Sequence, residues 1–365
     1  MSSLRSALEL TRSLVRCPSV SGDHAAQAAI QHLVADYAAG GAVRVTQSGR
    51  GEAPWTLLET GEDPPGSVLF ACHTDTVPLG EPSRWLRDPV SGEIDANHLH
   101  GRGSVDMKGG TVAAVHAVIA AAEAGASARL LMTSDEEIGC RGAAEAAPHL
   151  TGTPSLIVVP EATMNRVALG HRGATWLRLT AAGTAAHGST PQRGINAIRL
   201  LVDRVITALD DLPLLTDDYL GTETANLGTV TGGTAPNIVP DTASLTLDLR
   251  TVGSNHHLLD WAAATGPEIN VATELDLPAV RTPDVPDALE DYGVAPPVTY
   301  FTDASVLAGV FPHSPIVIFG PGDPTQMHAV DEHLDLASWR QSLHDFVRLT
   351  VTDHPAQDPE TGQSS

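Results

Sequence analysis

The first half of the chain alternates short, dense apolar runs with helical patterns. Residues 67–72 (SVLFAC), 128–132 (ARLLM) and 155–160 (SLIVVP) are rich in branched and aliphatic side chains and have the length of interior strands. Between the first two, residues 109–125 (GGTVAAVHAVIAAAEAG) carry the small and apolar residues of a packed helix, with Gly125 as its expected C-terminal stop. Strand–helix–strand spacing of this kind predicts right-handed crossovers and a mainly parallel sheet. At the N-terminus, Leu4, Leu8, Leu14 and Val15 are interrupted by Arg5, Arg12 and Arg16, which predicts an amphipathic helix and not a signal peptide.

From about Gly170 the pattern changes. Residues 172–183 (RGATWLRLTAAG) read as an exposed strand. Residues 189–209 predict a helix capped by Ser189 or Thr190, with Pro191 in its first turn and Ile195, Ile198, Val202, Val205, Ile206 and Leu209 as its apolar positions. Residues 224–233 and 243–252 read as strands, the second placing Leu245, Leu247 and Leu249 on one face. A further helix and strand fit between His256 and Leu277. This is a small α+β unit set inside the chain. The parallel-sheet pattern then resumes, with a helix at 304–310, a buried strand at 314–320 and a last amphipathic helix at 336–351. The polar tail, 353–365, is expected to be disordered. The resulting expectation is an α/β catalytic domain from 1–169 and 280–365 with an inserted domain at 170–279.

A chain of 365 residues suits two domains. Its 44 acidic against 21 basic side chains, a formal net charge of −23, argue against nucleic acid or an anionic membrane as partner. No apolar stretch is read as approaching the roughly 20 residues of a membrane span. Cys17, Cys72 and Cys140 form no CxxC and no disulfide framework, and Cys72 is expected as a buried thiol. The expected location is cytoplasmic.

The polar residues fall where the apolar runs end. His73 and Asp75 follow the first run, Asp135, Glu136 and Glu137 the second, and Glu161 the third. His328 follows residues 314–320 after a loop, and Asp106 stands in a glycine-rich segment just before a helix start. In open α/β sheets, ligands gather at the carboxyl ends of the strands. His73, Asp106, Glu137, Glu161 and His328 make a mixed imidazole and carboxylate set that suits zinc, cobalt or manganese. Five such residues exceed what one catalytic ion needs and suit two ions about 3.5–4 Å apart sharing a carboxylate. Two such cations would neutralise the Asp135–Glu137 cluster. On an extended chain Glu136 and Glu137 point to opposite sides, so one is expected to hold metal and the other to face substrate or water. His73 and Asp75 point the same way, so Asp75 is expected to accept the second imidazole N–H.

The motifs HTDTVP (73–78), GRGSVDMKGG (101–110), DEEIG (135–139), PEAT (160–163) and HAVDE (328–332) occur in that order. Together they resemble the di-zinc aminoacylase and carboxypeptidase family, which includes acetylornithine deacetylase and succinyl-diaminopimelate desuccinylase. The resemblance covers nearly the whole chain. It implies a metallopeptidase-like catalytic domain with a ferredoxin-like insertion that serves as dimerisation or lid domain. It implies one ion held by His73, Asp106 and Glu161, a second by Asp106, Glu137 and His328, and Asp106 bridging them. Zinc is the implied metal, with cobalt or manganese as alternatives. Glu136 matches the general base, Asp75 the orienting acid, and the bond after Asp106 is expected to be cis. His187, within residues 185–198, matches a histidine that reaches the neighbouring subunit of a homodimer to stabilise an oxyanion. Arg172, Asn237 and Arg250 match positions that hold the substrate carboxylate. The implied function is hydrolysis of the amide bond of an N-acyl amino acid by a di-metal-activated water. The alternatives are a carboxypeptidase or dipeptidase of the same family, including release of an amino acid from a glutamyl conjugate, or an inactive binding or scaffold protein on the same fold. Residues 299–309 (TYFTDASVLAG) depart from the SGGTSDG-like loop of typical desuccinylases, and Thr302, Asp303 and Ser305 are expected to line the acyl pocket. Lys108, the only lysine, is expected to structure its loop.

Overall fold

The computed structural model describes residues 2–39, 42–49, 52–61 and 67–351. The tail expected to be disordered lies outside these residues. The apolar runs of the first half form the centre of a six-stranded sheet. Its order is Arg44–Gly49, Trp55–Thr60, Ala128–Thr133, Val68–His73, Leu156–Val159, Ile316–Ile318. The last four run parallel, and the first two are antiparallel. Parallel strands buried on both faces need continuous apolar sequence, and every residue of Val68–His73 and Ala128–Thr133 is buried. All four parallel strands therefore deliver their C-terminal residues to one edge of the sheet.

Helix Gly109–Ala124 packs against Leu336–Val351 and Ser2–Val15. It ends at Gly125 in the left-handed region (φ 70°), whose N–H bonds Ala121 and Ala122 carbonyls. Gly110 is required by close approach, because a Cβ there would lie 2.2 Å from the Pro160 carbonyl oxygen. Contrary to the expectation that no stretch nears membrane-span length, Ser104–Ala124 has the length and composition to cross a bilayer. Its most apolar window is 78% buried inside the protein, so that apolar character serves the core.

A second sheet, of four antiparallel strands, has the order Thr224–Gly232, Thr242–Thr251, Gly173–Ala182, Ile269–Leu277. It has its own core, in which Leu177, Leu179, Leu245, Leu247 and Leu249 meet Leu201 and Leu258 of two helices. Gly173–Ala182, read as exposed, is instead an inner strand with alternate residues buried. The helix read from residue 189 starts later. Pro191–Arg193 is a separate 3-10 turn, and Ala197–Arg204 is capped by Asn196, whose side chain accepts from Arg199 N–H at 3.0 Å. Gly194 and Ile195 are extended there, and Ile195 pairs with Thr184.

Candidate active site

Each candidate ligand sits at the shared sheet edge because a buried strand ends just before it. His73 is the last residue of its strand, and Glu161 lies two residues beyond Val159. Both are 2% exposed. Asp106 (3% exposed) enters from the segment before helix Gly109–Ala124, with a cis bond to Met107. His328 enters from the loop after Ile316–Ile318, in the left-handed region at φ 61°. Two triads result. His73, Asp106 and Glu161 form one, and Asp106, Glu137 and His328 the other. His73 Nε2 lies 3.0 Å from Asp106 Oδ1 and 3.1 Å from Glu161 Oε1. His328 Nε2 lies 3.1 Å from Asp106 Oδ2 and 3.0 Å from Glu137 Oε1. Asp106 thus offers one oxygen to each triad.

The donor set fits two divalent cations. Among the described residues, buried Glu161 Oε2 has no hydrogen-bond partner and buried Asp106 Oδ2 has only the His328 ring, 3.1 Å away, a costly state for carboxylate oxygens that a metal ion relieves. The electrostatics agree. Burial, then the charge of Asp106, raises the Glu161 pKa to about 7. Burial would push Asp106 up as well, but hydrogen bonds from His328 and His73 outweigh it and hold it below the usual range. Hydrogen bonds to Asp106 and Glu137 raise His328 to about 10. Burial opposes protonation of His73, yet the surrounding carboxylates hold its pKa well above the usual value. These imidazoles carry protons that a metal must displace. Loading metal-free protein with zinc near neutral pH is therefore expected to release about two protons per chain. Affinity should fall as the pH is lowered. A titration in weak buffer checks this, and pH-independent binding without proton release contradicts it.

The Asp135–Glu137 segment differs from expectation. The chain is not extended there: Asp135 has φ 55°, and a turn follows. Glu136 and Glu137 consequently both line one cleft of about 340 Å³. Asp135 turns away and is satisfied by Gln27 Nε2 at 2.8 Å, Gly22 N–H at 2.7 Å and His24 Nε2 at 2.8 Å. Asp75 also differs. His73 Nδ1 bonds the Asp75 backbone carbonyl at 3.1 Å, and the carboxylate lies 3.5 Å away. That carboxylate accepts instead from the N–H groups of Glu136 (3.1 Å) and Glu137 (3.3 Å) and from Ser21 Oγ (2.7 Å). It holds the turn that presents both glutamates.

Glu332, which the sequence reading did not single out, joins the two ends of the site. It is fully buried and accepts from Arg102 Nη1 (2.8 Å) and the N–H groups of Gly103, Val105 and Asp106. Lys108 is buried and donates to the Leu14 and Cys17 carbonyls, so it ties the loop to the N-terminal helix.

Arg250 lines the cleft, pairs with Asp248 at 2.9 Å and lies over the Phe301 ring. Trp176 and Tyr300, also missed, line it too. Trp176 Nε1, Arg250 Nη1 and Tyr300 Oη are buried donors without partners among the described residues. Thr302, Asp303 and Ser305 do not line it. They pack behind it, Asp303 accepting from Thr133 Oγ1 and Ser305 donating to the Pro278 carbonyl. Arg172, His187 and Asn237 are not brought to the cleft within this chain. Arg172 donates to the Leu220 carbonyl. His187 is exposed, its Nδ1 2.8 Å from Ser189 Oγ, and its loop pairs with the loop of Asn237.

A model of peptidase family M20/M25/M40 matches residues 69–350. A succinyl-diaminopimelate desuccinylase of Rhodopseudomonas palustris (strain BisB5) is 31% identical, over 93% of this chain and 96% of that protein. One from Cereibacter sphaeroides (strain ATCC 17023) is 29% identical, over 93% and 97%. A solved M20 family metallo-carboxypeptidase from Sulfolobus solfataricus superposes with a TM-score of 0.76 at 16% identity, over 96% of this chain and 98% of that one. A dinuclear metal binding peptidase of the M20 family from Bacillus subtilis gives 0.69 at 15%, over 96% and 98%.

Proposed function

The chain belongs to peptidase family M20/M25/M40, whose members hydrolyse amide bonds, and we propose that it cleaves the amide of an N-acyl amino acid in the cleft between the two triads. The observation that carries this is Glu136. It is 5% exposed, lines the cleft beside both triads, and accepts no side-chain hydrogen bond among the described residues. A carboxylate so placed is free to move a proton.

His73, Asp106 and Glu161 would hold one divalent ion, zinc by preference, and Asp106, Glu137 and His328 the other. Bound there, such ions supply Lewis acidity that polarises a carbonyl and acidifies water. The chain's own residues do the rest. Glu136 takes a proton from the attacking water as its oxygen bonds the carbonyl carbon. It returns that proton to the nitrogen as the C–N bond breaks, leaving a carboxylic acid and an amine, between which the acid proton then passes to give carboxylate and ammonium. Burial, and then the charges of Glu137, Asp303 and Glu161 against the opposing His73, raise the Glu136 pKa well above the usual value, which suits a group that must both take and give a proton. Asp75 fixes the turn carrying Glu136.

Arg250, Trp176 and Tyr300 would take the substrate's acceptor groups, because all three line one cleft and each has a buried donor unpaired among the described residues. Burial and the neighbouring carboxylates hold Tyr300 protonated, so it remains a donor. Tyr300→Phe is expected to raise KM about tenfold through one lost hydrogen bond, without loss of stability. An unchanged KM would remove Tyr300 from substrate binding.

We take residues 170–279 as a dimerisation or lid domain. Strand Thr224–Gly232 is an exposed edge carrying Leu227 and Val230, with Ile195, Val202 and Ile238 also exposed on this domain. Such an edge invites pairing with a second copy, and a homodimer would let His187 and Asn237 serve the partner's cleft. The cysteines are unpaired, and Cys72 and Cys140 are buried, which suits a cytoplasmic setting.

The test is a mass-spectrometry panel of N-acetyl, N-succinyl and N-formyl amino acids, γ-glutamyl conjugates and dipeptides, with zinc, cobalt or manganese. Cleavage of one acyl class is expected. Cleavage of dipeptides or glutamyl conjugates alone would replace the deacylase reading by a peptidase one, and no cleavage by metal-loaded protein would point to an inactive scaffold.

A further inference from the structure

A second cluster of metal-competent side chains lies on the strand pair His98–His100 and His333–Asp335, and none of its members lines the cleft. We propose that Asp95, His98 and His100, joined by the adjacent His333 as fourth ligand, form a separate site for one divalent transition-metal ion, zinc being the probe of choice. His333 is paired directly with His100, and His98 and His100 are two residues apart, so all three imidazoles stand on one face. Their ring centres are 4.8, 5.5 and 6.0 Å apart. Imidazoles sharing a tetrahedral zinc at about 2.0–2.1 Å have ring centres roughly 5 Å apart.

The donor atoms agree. One atom each of Asp95, His98 and His100 lies within 4.8 Å of the others. His98 Nδ1 is 3.5 Å from Asp95 Oδ1, close to the roughly 3.4 Å between adjacent ligands of a tetrahedral zinc. His100 Nε2 and Asp95 Oδ2 are at hydrogen-bond distance, 2.8 Å, and need to spread only by about half an ångström. His333 lies beside this group. Its Nδ1 donates to the Asp331 carbonyl at 2.8 Å, which leaves Nε2 as the ring's free lone pair, and a rotation of the ring would be needed to bring that atom to the ion. Nitrogen-rich donors of this kind select zinc, nickel or copper over calcium or magnesium. His98 and His333 also border a cavity of about 580 Å³, which gives an ion a way in. The competing cation is Arg87, whose Nη2 is 3.9 Å from Asp95 Oδ2, but its Nε is engaged by Glu93 at 3.1 Å. The site is well placed to fasten the two chain segments behind the cleft. Glu332 precedes His333, and its carbonyl accepts from Gly101 N–H, immediately after His100.

The test counts zinc per chain by equilibrium dialysis and elemental mass spectrometry. His98→Gln/His333→Gln is expected to bind one equivalent fewer than the unsubstituted chain, with kcat/KM unchanged. Asp106→Asn, which disables the cleft, should retain that equivalent and lose it when His98→Gln is added. Equal zinc content in the unsubstituted and His98→Gln/His333→Gln chains overturns the proposal. So does an Asp106→Asn chain that binds no zinc, which keeps the test decisive if the double variant fails to fold.

Discussion

Replacing Glu136 by glutamine is expected to lower kcat on the order of a thousandfold while the chain keeps its fold and its metal. Glutamine has the same shape, and the Glu136 carboxylate accepts no hydrogen bond among the described residues, so the change removes a proton acceptor and nothing structural. The Asp75 carboxylate still receives the backbone N–H of residue 136, so the turn is kept. Metal content measured beside turnover separates this role from ligation. A variant that lost both together would make Glu136 a ligand, and one with normal turnover would remove it from the mechanism.

Glu332→Ala is expected to destabilise the chain by about 3–5 kcal/mol, the usual effect of removing one partner from a buried ion pair. Arg102, 6% exposed, would keep its charge without its 2.8 Å partner, and the N–H groups of Gly103, Val105 and Asp106 would lose their acceptor. Asp106 is anchored through that last N–H, so metal affinity should drop with stability. Glu332→Gln keeps an acceptor oxygen and should fall between. Denaturant unfolding of the three proteins measures this, and an alanine variant as stable as the unsubstituted chain would contradict it.

The strands that build the site were legible because burial on both faces writes itself as uninterrupted apolar sequence, and three of the four runs led directly into polar residues that now stand at one sheet edge, His328 following the fourth after a loop. The outer strands Arg44–Gly49 and Trp55–Thr60 were not read, because their mixed composition carries no such signature. Helix His24–Ala38 did carry a signal, an Asp23 cap bonding Ala26 N–H ahead of an alanine-rich run. What the sequence could not show is how distant segments meet. Asp135 looked like part of one charge cluster, yet its partners are Gln27, Gly22 and His24, more than a hundred residues away. Asp75 was read through its neighbour His73, while its carboxylate serves residues 136 and 137. Trp176 and Tyr300 face the cleft only because two separate segments converge on it, and no local spacing marks them. His187 and Asn237 illustrate the converse, since the motifs that singled them out lie on two paired loops that do not line the cleft of this chain.

The most direct test of the account is anomalous scattering from zinc-loaded crystals. The account predicts two peaks in the cleft about 3.5–4 Å apart, with Asp106 between them and Glu136 beside them but ligating neither. A single peak, an empty cleft or a Glu136 oxygen bonded to an ion would contradict it.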